Sequence, residues 1–253
     1  MSVLKTDKLS VGYNKKVLIK DIDISIEKDE ILTLIGPNGA GKSTILKTFA
    51  RQLESIGGNV YFDDNDYTKI GGNELAKKVA VMFTGKIKGE MLNCEDIVAT
   101  GRYPYTGHFG LLSKEDKEEV KKAMELVNIS DIKDSDFSKI SDGQRQRVIL
   151  ARAVCQDTDI IILDEPTSFL DIRYKLEFVS IIKKLQKEKN ITVIMSLHEL
   201  EIAKKISDKI ACVKGDKIDR YGSPKEIFKD EYIKDLFDID DAAMSENIDI
   251  LKI

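Results

Sequence analysis

Apolar positions along the chain fall into short runs separated by polar, helix-spaced stretches. Strand-like runs occur at "KVLIKDIDISI", "ILTLIG" (31–36), "NVYFD" (59–63), "VAVMF" (79–83), "DIIILDE" (159–165), "ITVIMS" (191–196) and "KIACVK" (209–214). The runs at 31, 159 and 191 are almost continuously apolar, as in strands buried on both faces of a parallel sheet. Helical stretches follow them: "KSTILKTFARQL", "IRYKLEFVSIIKKLQKEK" and "HELEIAKKI". Strand, helix, strand is the order of βαβ units, so the pattern predicts an α/β fold. Between about residues 86 and 155 the strand pattern stops. There "SKEDKEEVKKAMELV" carries helical spacing at Val120, Met124 and Val127, behind a capping-box pair Ser113 and Asp116. This predicts a helical insert in an α/β core.

One helical stretch, "ISDGQRQRVILARAV" (140–154), begins oddly. Ser141 or Asp142 could cap it, but glycine, glutamine and arginines follow at once. A helix start without bulky side chains also suits an anion.

Composition narrows the possibilities. The 253 residues suffice for one large α/β domain or two small ones. A net charge of −4 argues against a dedicated nucleic-acid binder. Cys94, Cys155 and Cys212 are widely spaced and form no CxxC pair, so neither a disulfide framework nor a zinc site is expected, consistent with a reducing compartment. The N-terminus lacks the apolar core of a signal peptide, and no run reaches the length of a membrane span. Any membrane association is expected to come through a partner.

The chemistry concentrates in "ILTLIGPNGAGKST", which matches G-x-x-x-x-G-K-[ST] at Gly36, Gly41, Lys42 and Ser43. It follows a predicted strand and opens a predicted helix. Gly36, Asn38, Gly39, Ala40 and Gly41 would wrap phosphate oxygens with backbone N–H groups around Pro37, which has none to give, with Lys42, Ser43 and Thr44 opening the helix. Lys42 would neutralise the β- and γ-phosphates of ATP, and Ser43 would hold Mg²⁺. "IIILDE" ends a buried strand in Asp164 and Glu165, where α/β sheets gather their ligands. Asp164 would hold Mg²⁺ through water, and Glu165 would act as general base on the attacking water. His198 follows "ITVIMSL" at another strand end, so a functional role at the phosphate is favoured over a structural one.

The order "GPNGAGKST", "ISDGQRQR", "IIILDEPTSFLD", His198 resembles the ATP-binding cassette family over nearly the whole chain. The resemblance implies a single cassette over residues 1–253, an α/β P-loop NTPase core (1–85 and 156–253). It also implies an N-terminal antiparallel β region and a helical subdomain near 86–155. It implies an ATP hydrolase using Mg²⁺, with Lys42, Glu165 and His198 catalytic. Tyr13 in "VGYNKK" matches the aromatic that stacks on adenine, a contact worth about 1–3 kcal/mol. Two cassettes pack head to tail, so Ser141, Gly143 and Gln144 would bind the ATP of the other copy, and Asp171 in "SFLD" would link the two sites.

Two positions depart from the family. Asp142 replaces the first glycine of the usual Ser-Gly-Gly, so its carboxylate should cap the helix or pair with Arg145, away from phosphate. Thr84 stands where a glutamine normally reaches the Mg²⁺, and its hydroxyl falls short by roughly 2–2.5 Å. A bridging water would make it a metal contact, with slower or less Mg²⁺-coupled turnover.

"TGRYPYTG" (100–107) resembles a segment of cassettes that serve importers of iron–siderophore complexes, haem and cobalamin. That resemblance implies permease subunits docking in a groove near Thr84–Leu92 and Tyr103–Tyr105, an extracytoplasmic binding protein, and a cytoplasmic cassette peripheral on the inner membrane face. Alternatively, Arg102, Tyr103 and Tyr105 merely pack the insert, and the chain is a soluble cassette such as that of iron–sulphur-cluster assembly. DNA-maintenance and ribosome-acting cassettes usually carry a long coiled coil or a second cassette, which this chain lacks. "GSPKEIFKDEYIKDLFDID" reads as a turn and short helices, and residues 242–253 as a returning strand.

Overall fold

The computed structural model describes residues 2–83, 91–107, 110–168 and 170–239. The chain divides into two compact units, Met1–Lys69 with Ile194–Ile253, and Ile70–Val193. The predicted insert, 86–155, falls wholly within the second. Thr84, most of the expected groove (residues 84–90), and the stretch 242–253 lie outside the described residues.

The first unit opens with β1 (Ser2–Tyr13), β2 (Lys16–Ile22), β3 (Ser25–Glu27) and β4 (Ile31–Ile35). α1 (Lys42–Phe49), β5 (Gly57–Phe62) and β6 (Asn65–Asp66) follow. β1 is antiparallel to β2, β3 and β5, which makes the antiparallel region the resemblance implied. β1 and β2 are joined at the pair Tyr13–Lys16 through Asn14 (φ 51°) and Lys15 (φ 63°). Two successive positive φ values are the signature of a hairpin turn that matches strand twist. This turn fixes Tyr13 at the hairpin tip.

The second unit contains α2 (Gly72–Lys78), β7 (Val79–Met82), α3 (Cys94–Ala99), α4 (Lys114–Leu126), α5 (Asp142–Cys155), β8 (Ile160–Asp164) and α6 (Ile172–Lys189). β7 and β8 pair in parallel, Val79 opposite Ile160 through Met82 opposite Leu163. Beyond β8 comes β9 (Thr192–Ser196), the strand along which the chain passes back into the first unit. There β9 gives way to α7 (Leu200–Ile206), β10 (Lys209–Lys214), β11 (Lys217–Gly222), α8 (Pro224–Ile227) and α9 (Asp230–Leu236). In the first unit the strand order is β11-β10-β4-β9, and in the second β8 neighbours β7.

The three continuously apolar runs are β4, β8 and β9, and every residue in them is buried. Thr33 keeps its buried hydroxyl satisfied against the Ser207 hydroxyl at 2.6 Å. The tail forms α8 and α9, as its turn chemistry predicts.

The insert is helical as expected, and Ser113 and Asp116 form the capping box of α4. Asp116 has a second task that the spacing did not reveal. Its Oδ1 accepts from the Arg102 Nε at 2.8 Å, with both side chains 8% exposed. Arg102 Nη1 also donates to the Cys155 carbonyl at 2.9 Å. Burial pushes the Asp116 carboxyl up, but donors from Ser113 and Arg102 outweigh it and hold the acid below the usual carboxylate range. A depressed acid contributes stability that is complete above its unfolded value, near 4, and lost as pH falls through the folded value. Asp116→Ala is expected to cost about 3–5 kcal/mol by stranding a buried guanidinium. A thermal melt at pH 7 against one near pH 3 checks this, because the difference between wild type and variant should narrow in acid.

The three thiols are buried. Burial pushes Cys155 up to about 12 and Cys212 up to about 11, so neither is a thiolate at neutral pH.

Candidate functional site

In the first unit the site grows from the end of β4. Gly36 leaves the strand at φ 147°, Gly39 has φ 77° and Gly41 φ 98°. A Cβ on Gly36 would stand 2.3 Å from the Val213 carbonyl oxygen on β10, so only glycine lets the loop turn there. Gly41 is the N-cap of α1 and supplies no side-chain cap, and the first turn carries no acid. The first N–H groups of a helix lack intrahelical partners, and a glycine cap has no side chain to take them. Lys42 is only 5% exposed. Its Nζ donates to the carbonyls of Gly36 and Pro37 at 2.8 and 2.9 Å, which holds the ammonium at the loop.

Tyr13 is brought to this helix from the hairpin tip. Thr44 Oγ1 donates to its phenol oxygen at 3.3 Å, while the residue stays 46% exposed. An exposed ring anchored beside a phosphate-type loop is free to stack on a base. His198 is exposed, just past β9. Its neighbour Leu197 donates its N–H to the Leu34 carbonyl at 3.2 Å, which sets this segment beside the end of β4, two residues before Gly36. The first unit therefore gathers Tyr13, residues 36–44 and His198, which are far apart in sequence.

The second unit holds the remaining predicted residues. Asp164 ends β8 and is 2% exposed. Glu165 leaves the strand with φ 49°, a conformation costing a non-glycine residue on the order of 1–3 kcal/mol. Its carbonyl accepts from the Ser168 N–H at 3.1 Å, and its Oε2 from the Ser168 hydroxyl at 3.4 Å. Ser168 was not singled out in the sequence, where only its place three residues after the acid marks it.

Ser141 settles the open question at the start of α5. Ser141 is the cap, accepting from the Gln144 N–H at 3.3 Å, while the Gln144 side chain accepts from the Ser141 N–H at 3.0 Å. Gln144, expected to meet nucleotide, is thus held in a capping box in this conformation. Asp142 pairs with Arg145 at 2.9 Å, one of the two roles expected of it. A Cβ on Gly143 would meet only Tyr174 and Leu170 at 3.6–3.7 Å, ordinary contact, so packing within this chain does not demand the glycine. Asp171 caps α6, accepting from the Tyr174 N–H at 3.0 Å.

Within "TGRYPYTG" the residues divide. Arg102 is buried in its ion pair, and its guanidinium lies 3.9 Å from the centre of the Tyr105 ring. The Tyr105 hydroxyl donates to the Asp157 carbonyl at 3.0 Å. Both therefore pack the insert. Tyr103 is 63% exposed, and Met91, Leu92 and Leu111 are exposed apolar residues of the same unit.

The donor set fits a nucleotide better than a resident metal. Among the described residues no group of three His, Cys, Asp or Glu could hold a metal ion. A hydroxyl and a carboxylate suit Mg²⁺ that is otherwise held by phosphate oxygens and water. Among the described residues no helix is long and apolar enough to cross a membrane.

Comparison with known proteins follows the same line. The ABC transporter family profile matches residues 19–168. An uncharacterized ABC transporter ATP-binding protein of Methanocaldococcus jannaschii is 41% identical over 97% of this chain and 85% of its own length. The iron(3+)-hydroxamate import ATP-binding protein of Bacillus subtilis is 36% identical over 95% of this chain and 89% of its own. An ATP-binding cassette of an ABC transporter, solved in its ADP conformation, shares the fold with a TM-score of 0.83 at 21% identity, covering 95% of this chain and all of that one.

Proposed function

The chain belongs to the ABC transporter family, and from that premise we propose that it is the ATP-hydrolysing subunit of an importer for iron bound to a siderophore. The observation that carries the ATPase is the glycine cradle with buried Lys42 at the mouth of α1. The cargo reading rests on the relatives. Cassettes at 31–36% identity along nearly the full chain are named for import of iron(3+)-hydroxamate and petrobactin and for transport of ferric enterobactin.

On this reading the loop N–H groups from Gly36 to Ser43 bind the phosphates of ATP, and Tyr13 stacks on its base. Lys42 turns from the loop carbonyls to the β- and γ-phosphates. Ser43 would hold Mg²⁺ and Asp164 would do so through water, and the ion would supply neutralisation of charge on the phosphates. Glu165 accepts a proton from the attacking water. His198 gives a further contact to the phosphate from its strand end. Ser141 and Gly143, at the start of α5, cover the γ-phosphate held by a second copy, and Asp171 joins the two sites. Hydrolysis is then tied to opening and closing of the pair, a two-state element biased by the γ-phosphate.

Exposed Tyr103 and the partly exposed Tyr105 support a permease contact, whereas Arg102 is buried in the insert. The partners are two permease subunits at the inner membrane face, fed by an extracytoplasmic binding protein. Tyr103→Ala is expected to lower chelate uptake about tenfold while ATPase of the isolated chain stays within twofold, since a central interface aromatic contributes about 2 kcal/mol. Uptake of ⁵⁵Fe-siderophore alongside phosphate release checks it, and uptake retained at the wild-type level removes Tyr103 from the interface.

A further inference from the structure

The residue we add to the machinery is Gln146. Its Nε2 donates to the Pro166 carbonyl oxygen at 3.0 Å. Pro166 is the residue directly after Glu165, whose backbone sits at φ 49°. Gln146 lies on α5 one turn past Gly143, so this single bond ties the helix that starts at Ser141 to the segment that aims Glu165. Two more contacts run the same way. Gly143 lies against Leu170 and Tyr174, and the Arg147 guanidinium stands 4.6 Å from the centre of the Tyr174 ring. Tyr174 in turn donates its N–H to Asp171. Of these, only the Gln146 bond reaches the residue next to the general base.

We propose that Gln146 is a positioning residue, which holds Glu165 in its left-handed conformation and passes movement of the Ser141 helix to it. This rests on the ATPase reading above. When a second copy's nucleotide draws on the start of α5, Pro166 follows through Gln146, and the Glu165 carboxylate shifts with it. Ser168 holds the carboxylate from the far side of the turn. The device makes the base responsive to whether the α5 terminus is engaged.

The test uses Gln146→Met, which keeps the length and removes the donor, and Gln146→Lys, which restores one. Methionine is expected to lower kcat about 10- to 100-fold, the scale of a small misplacement of a catalytic group, with KM for ATP within twofold. Lysine is expected to recover at least half of the wild-type kcat. Nucleotide-driven dimerisation, measured in the Glu165→Gln background, should be the same with and without Gln146→Met. Full kcat in Gln146→Met overturns the proposal. So does a loss that lysine does not recover, or one that appears as lost ATP binding, because either assigns Gln146 to packing. If wild type releases no phosphate from MgATP, the ATPase reading fails first and takes the proposal with it.

Discussion

Glu165→Gln is expected to lower kcat for ATP about 10²- to 10⁴-fold and to leave ATP affinity within a few-fold. That is the range lost when a positioned general base is removed. The substitution is nearly isosteric, and its amide oxygen can still accept from the Ser168 hydroxyl that now meets Oε2. It keeps the left-handed turn at 165 as a local conformation of one residue, since side-chain length and branching are unchanged. What disappears is the ability to take a proton from water. With hydrolysis blocked and binding intact, the ATP-bound pair should persist, so the variant with MgATP should elute at about twice its 28.5 kDa mass. Phosphate release, fluorescent-nucleotide titration and size exclusion read the three parts separately. Turnover within threefold of wild type would remove Glu165 from the role of base.

Gly36→Ala carries the largest expected structural effect. The added Cβ would sit 2.3 Å from the Val213 carbonyl oxygen and would have to accept φ 147°. Backbone strain of this kind costs on the order of 1–3 kcal/mol, and overpacking about 1–3 more. Neither neighbour can easily yield. Val213 lies in β10, which pairs with β4 through Cys212 opposite Ile35 and on its other side with β11. Relief must therefore come from the loop itself, so nucleotide affinity falls together with stability. The expected result is a loss of about 2–6 kcal/mol, read as a lower Tm, and no measurable ATP binding. The contrast is Gly143, where an added Cβ makes only ordinary contacts.

Much of this was legible in the pattern of residues. Nearly continuous apolar runs mark β4, β8 and β9 because strands buried on both faces show no apolar–polar alternation, and a polar residue such as Thr33 must find its partner inside. The loop at 36–43 is legible for a different reason: its chemistry demands glycine and lysine at fixed spacing. The capping box at Ser113 is legible because the bonds involved span three residues, whereas at Ser141 the sequence offers a cap without marking Gln144 as its partner. What escaped has longer reach. Asp116 reads as a cap, but its buried pairing with Arg102 crosses from one element of the insert to another. Tyr105 and Tyr103 look alike in sequence, and only packing separates the one held against Arg102, 36% exposed, from the one left 63% exposed. Gln146 stands among arginines in "SDGQRQR", and nothing local says that its partner is a backbone carbonyl twenty residues on. Asp142 is the instructive middle case. The sequence offers a cap or a pair with Arg145, and the 2.9 Å pair with Arg145 is the one found, while Ser141 is the cap.

The most direct measurement is uptake by cells that lack this chain. Ferric hydroxamate, ferric catecholate, haem and cobalamin, each labelled, would be offered to cells carrying no copy, the wild type or Glu165→Gln. The account predicts that uptake of at least one iron–siderophore complex is lost without the chain, restored by wild type and not restored by Glu165→Gln. Undiminished uptake of every cargo in cells without the chain would contradict the importer reading.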